Sequence, residues 1–335
     1  MPPFANSLSE TALFNPRRRR KLISKLQWLP APFVFITTYW FWVVGVRLLT
    51  LTLITYFIIS PTSRFQDISD AFSSNEVSLM GLSALFYTGL LYGLNPLTQT
   101  TLSEIVSREK IEKQFLPGFI QGAILSGGII ILFVVAGVYR HLGYYIPLEE
   151  APIELANIIL RMATLAILAY CEEFIFRHKF SNFLIKHLPQ LAAFNITALV
   201  YCVTKCFQFN LGVMHTITLY LISIALSYRC FSSAQNQFAK GAGFWAAVLI
   251  VFQPILSLPI FGNDFSGILL IKYQTTASGI LPQSQTLWQS GLGNTIPLNR
   301  FLSGGIGGPL ASFIFQLLLI LDIGRNILRR KKPTT

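Results

Sequence analysis

Long apolar stretches separated by short polar or basic links run along most of the chain. A helix that crosses a bilayer needs about 20 mostly apolar residues. Eight stretches reach or approach that length, at 33–59, 77–94, 118–139, 155–170, 191–207, 212–228, 241–260 and 309–323. The pattern predicts an all-α fold, a polytopic transmembrane helix bundle of about eight spans. Between the second and third stretches, Glu104, Arg108, Glu109, Lys110, Glu112 and Lys113 are spaced as on an amphipathic helix lying at the membrane interface.

The same pattern divides the chain into segments. Residues 1–30 read as a basic cytoplasmic segment, 31–154 as N-terminal transmembrane helices with the interfacial helix, and 155–260 as a transmembrane core. Residues 261–308, rich in Gly, Ser, Thr, Gln and Asn, read as an extracytoplasmic polar loop; 309–335 hold the last transmembrane helix and a basic cytoplasmic tail. With the N-terminus inside, the outer links carry only Arg64, Arg140, Lys272 and Arg300, so both termini are expected in the cytoplasm. The N-terminus lacks a small-residue cleavage site, and the first apolar segment is expected to stay as an anchor. Tyr39, Trp40 and Trp42 suit an interfacial belt, and Gly127 and Gly128 suit a close approach of helices.

Composition supports the membrane reading. Hydrophobic residues make up 53% of the chain and charged residues 12%, about half the share of a soluble domain. The net charge of +12 is concentrated partly in basic runs at 17–21 and 329–332. Such runs set orientation and attract anionic lipid, and no groove-reading motif accompanies them. Membrane lipids are therefore expected partners, and nucleic acid is not. Cys171, Cys202, Cys206 and Cys230 lie in or beside apolar segments without a zinc spacing or a disulfide framework.

Ionisable residues inside a span cost roughly 2.5 to 3.5 kcal/mol each at a helix centre, so each is a candidate for function. The apolar run at 155–170 leads through Cys171 into Glu172, Glu173, Phe174, Ile175, Phe176 and Arg177. Glu173 and Arg177 stand four residues apart on one helical face, where an ion pair forms readily. Glu172 is turned about 100° away, toward another partner. A plainer reading places both glutamates in interfacial water at the cytoplasmic end of the fourth span.

Glu-Glu-x-x-x-Arg at the end of an apolar span resembles the first motif of the CPBP family, the CAAX-protease and bacteriocin-processing (Abi-type) intramembrane metalloproteases. The resemblance covers about 155–257. The family's second motif is Phe-x-x-x-His in the next span; here Tyr201 holds the aromatic position and Lys205 the histidine position. Its third motif is a histidine followed four residues later by Asn or Asp. Val251 and Ile255 hold those positions, in a helix that starts with small residues and Trp245. The resemblance implies a CPBP-like core in which Glu172, Glu173, Arg177, Tyr201 and Lys205 stand at catalytic positions, as a degenerate member.

In that family, two glutamates and two histidines bind or activate the water that attacks a peptide carbonyl. An ammonium group has three donors and no lone pair, and valine offers nothing. No cofactor is therefore expected; zinc or another divalent metal would be present only if the site is active. Among His141, His178, His187 and His215, His215 at the start of the sixth span is the least remote substitute donor. Cys202 and Cys206, one turn apart, read as packing residues. Lys205 suits another role: it can bring the charge that a metal would bring, pairing with Glu172 as Arg177 pairs with Glu173 in a closed, neutral network.

Three functions compete on this reading. The first is a proteolytically inactive pseudoprotease that binds or regulates a transmembrane or lipidated protein or peptide. The second is an active intramembrane endopeptidase of the CAAX-protease type with non-standard catalytic residues. The third is a transporter or lipid-handling protein, which would need more polar groups at midplane than Arg47, Gln121, Lys205 and Gln253 provide.

Overall fold

A computed structural model describes residues 30–57, 84–89, 92, 102–105, 107–144, 151–208, 211–231, 237–260, 267–273, 286–289, 295–297, 302–304 and 308–331. The basic segment at 1–29 and most of the second apolar stretch lie outside them. The described residues are mostly helical, as the apolar pattern predicts. The principal helices are α1 (Pro30–Phe57), α2 (Leu116–Val135), α3 (Ala151–Glu173), α4 (Gln190–Gln208), α5 (Val213–Cys230), α6 (Phe238–Ile250) and α7 (Phe313–Lys331). Three helices among the described residues are long and apolar enough to cross a membrane: Ile111–Val135, Val213–Cys230 and Phe238–Ile255.

The third of these is the axis of the bundle, with 83% of its apolar window buried. Small residues make that possible. Gly241, Ala242, Gly243, Ala246 and Ala247 are all buried, and α2 and α3 pack closely against α6. The contact with α2 is backbone against backbone. A Cβ on Gly118 would lie 2.1 Å from the Lys240 carbonyl oxygen, one on Gly122 2.4 Å from that of Phe244, and one on Gly243 2.0 Å from that of Phe115. Gly118 and Gly122 stand one turn apart on α2, the small-xxx-small spacing of close helix pairs. The sequence pointed instead to Gly127 and Gly128, where a Cβ would meet nothing within 4 Å. These lie further along α2, past the point where the two backbones touch. The opposite face of α2 carries exposed Ile120, Ile124, Ile131 and Val135, an apolar stripe suited to lipid.

The third apolar stretch ends earlier than its hydrophobicity indicates. The helix stops at Val135, Gly137 takes a positive φ of 72°, and Tyr139–Tyr144 forms strand β1. Strand β2 (Leu269–Tyr273), from the polar loop, pairs antiparallel with β1, Tyr139 opposite Tyr273. A second pair joins β3 (Thr286–Gln289) to β4 (Thr295–Pro297). The buried Tyr139 hydroxyl also donates to the Ser303 carbonyl at 3.2 Å, and burial raises its pKa. The loop at 261–308 is thus partly ordered, and one of its strands is fastened to the link that follows α2.

Candidate functional site

The acidic motif lies inside a helix rather than at its end. Beyond Glu173 the chain continues as a π-helix, Phe174–Ser181, and then as the short α-helical piece Asn182–Ile185. His178 and Lys179 look like the start of a loop in sequence, but Phe174, Phe176 and Phe180 keep this continuation buried. A turn before Pro189 reverses the chain into α4, so α3 with its continuation and α4 form an antiparallel hairpin. Glu172 is about 20 Å from the turn along one arm, and Lys205 about 22 Å along the other, at 1.5 Å per residue. The two side chains therefore meet at one depth. The Ser181 and Thr197 hydroxyls, 2.8 Å apart, tie the same two arms nearer the turn.

At the meeting point Lys205 Nζ lies 2.5 Å from Glu172 Oε1, and the Tyr201 hydroxyl donates to Glu172 Oε2 at 3.1 Å. Arg177 NH1 lies 2.9 Å from Glu173 Oε1. That contact is an ion pair whose angles fall outside hydrogen-bond geometry, and among the described residues neither Glu173 oxygen has a hydrogen-bond partner. The Arg177 guanidinium stacks 4.5 Å over the Tyr201 ring, whose hydroxyl serves Glu172. Tyr201 thus links the two ion pairs. Glu172, Glu173, Arg177 and Tyr201 are fully buried and Lys205 is 1% exposed, so the reading of glutamates in interfacial water does not hold. Two carboxylates face two cations in the interior, and their charges balance.

One contributor is absent from the sequence reading. Gly241, at the start of α6, lies against the acidic pair: a Cβ there would lie 2.9 Å from Glu173 Oε2. Val251 and Ile255 sit about 15 Å or more further along the axis. They line an apolar hollow with Ile130 and Ile131 of α2. The positions matched to the third family motif are thus a helix length away from the glutamates. Of the histidines, His178 stacks on Phe174 and lies tilted against Phe238, His141 is exposed on β1, and His187 is exposed beside the hairpin turn. Cys202 and Cys206 both face Thr216 of α5.

These donors do not fit a divalent metal. Among the described residues no group of three His, Cys, Asp or Glu comes together. Both Glu172 oxygens are already engaged, by an ammonium that cannot ligate and by a phenol.

A second polar cluster, also unforeseen, joins α5 to α7. Arg229 holds Asp322 in a two-pronged contact, Nε to Oδ2 at 3.0 Å and NH2 to Oδ1 at 2.9 Å. Its NH1 donates to Gln121 Oε1 of α2, and its guanidinium lies 3.9 Å over the Phe244 ring of α6. One planar group therefore clamps four helices. The signal was Asp322 itself, an acidic residue within an apolar helix. Arg229→Lys keeps the charge but loses both the fork and the stacking. It is expected to lower stability by about 1 to 3 kcal/mol in detergent-solubilised protein, read as a drop in melting temperature.

Comparisons with family models, with curated proteins and with solved structures return no match.

Proposed function

We propose that this chain is a multi-pass integral membrane protein of CPBP-like design that has exchanged its catalytic centre for a structural one, and that binds or regulates a membrane-embedded or lipidated partner. The eight apolar stretches and the placement of Lys and Arg support about eight spans with both termini in the cytoplasm. The observation that carries the reading is Lys205 against Glu172. At the position where the family has a histidine, a lysine occupies one carboxylate oxygen and Tyr201 the other. Both Glu172 oxygens are thereby committed to donors, which weakens this carboxylate as a metal ligand and as a base toward water.

The second reading, an endopeptidase with altered residues, draws on Glu173. Its oxygens accept no hydrogen bond among the described residues, which leaves a carboxylate able to take a proton. A quenched-fluorescence peptide assay with the purified protein in detergent separates the two. The pseudoprotease reading expects wild type, Glu172→Gln and Glu173→Gln to be equal at background. Hydrolysis by wild type that Glu173→Gln abolishes without changing the melting temperature would establish the enzyme.

A further inference from the structure

The clamp around Arg229 borders a cavity of about 390 Å³ whose polar lining is Gln121, Arg229, Lys240, Asp322, Arg325 and Asn326. Three cationic side chains face it and one carboxylate. That carboxylate is engaged on both oxygens: Oδ1 accepts from Arg229, and Oδ2 from Arg229 and from Asn326 at 3.3 Å. Cationic side chains therefore outnumber carboxylates in the lining, and the Gln121 amide nitrogen can donate. An anion with several acceptor oxygens matches such a wall, since guanidinium and ammonium groups bind oxyanions by charge-assisted hydrogen bonds.

The remaining wall is apolar. Leu125, Ile124 and Phe244 complete the lining, and Ile124 belongs to the outward apolar stripe of α2, 70% exposed. A charged hollow that opens beside a lipid-facing helix suits a ligand with an anionic head and hydrocarbon chains. The cations come from the end of α5, the start of α6 and the second half of α7, which is where headgroups meet spanning helices.

We propose that this cavity binds an anionic phosphate group, carried by a phospholipid headgroup or by free phosphate. Lys240 and Arg325 hold the phosphate oxygens, and Arg229, fixed by Asp322, shapes the floor. The full-length protein in neutral detergent is titrated with short-chain phosphatidylglycerol, short-chain phosphatidylcholine and inorganic phosphate, and its melting temperature is followed. Phosphatidylglycerol is expected to stabilise wild type, with an apparent affinity that falls about tenfold or more in Lys240→Gln/Arg325→Gln. Lys113→Gln/Lys186→Gln removes two exposed charges elsewhere and is expected to leave the titration unchanged. The same variant sensitivity with inorganic phosphate, at equal or better affinity, would assign the site to the free ion. Equal responses to phosphatidylglycerol and phosphatidylcholine with none to phosphate, or equal losses in the two double variants, would overturn the proposal. Should Lys240→Gln/Arg325→Gln fail to fold, Arg325→Gln alone, at an exposed position, carries the same comparison.

Discussion

Lys205→Met is expected to destabilise the protein by about 3 to 5 kcal/mol, because it leaves the Glu172 carboxylate buried against a single phenol donor. Methionine has nearly the length of lysine, so the loss comes from charge rather than from a void. Glu172→Gln in the same chain removes the stranded charge while keeping an oxygen for the Tyr201 hydroxyl. The double variant is therefore expected to recover most of the loss. Melting temperature and yield of detergent-solubilised protein, compared through a double-mutant cycle, give the coupling between the two residues. Strictly additive effects, or a silent Lys205→Met, would refute the ion pair as a structural element and remove the main support for a retired catalytic centre.

Gly243→Ala is expected to do comparable damage without touching any charge. Its Cβ would lie 2.0 Å from the Phe115 carbonyl oxygen and 2.8 Å from the Phe119 nitrogen, both backbone atoms of the helix alongside. No side chain can move aside, so the two helices must separate along their contact. The cost is expected at or above the upper end of the about 1 to 3 kcal/mol typical of overpacking. Gly127→Ala and Gly128→Ala provide the contrast, since both positions are open and alanine favours helix. These two are expected to be neutral or stabilising by up to about 1 kcal/mol, all four proteins being compared by thermal melting in one detergent. A Gly243→Ala protein as stable as wild type would mean that α2 and α6 do not touch through their backbones.

The helical class was legible in the sequence because apolar length is a coarse signal that survives errors at the ends. Boundaries were less so. The span read as ending near Tyr170 continues to Ile185, because aromatic residues interleaved with Arg177, His178 and Lys179 bury a segment that looks polar when averaged. Within the site, Glu172, Glu173, Arg177, Tyr201 and Lys205 were all identifiable from charge in an apolar setting and from motif spacing. Their meeting was not, since equal depth depends on where the hairpin turns. Gly241 was invisible for a different reason: a glycine contributes by what it lacks, and that shows only once Glu173 stands opposite. The Arg229–Asp322 clamp joins residues far apart in sequence: Asp322 in an apolar helix signals a partner, and nothing local says which residue it is. Strands β1 to β4 were missed because short pairings outside a bundle have no periodicity strong enough to compete with the helical pattern.

The pairing of β1 with β2 has a bearing on topology. Helices α3, α4, α5 and α6 all lie between these strands in sequence, yet the strands are hydrogen-bonded neighbours. Every time a chain passes through a bilayer it changes sides, so two segments can meet only after an even number of passages. Between the two strands, two of the described helices are long and apolar enough to cross a membrane, Val213–Cys230 and Phe238–Ile255, an even number. Were one such passage skipped or added, Tyr139 and Tyr273 would fall on opposite faces of the membrane and the ladder between β1 and β2 could not form.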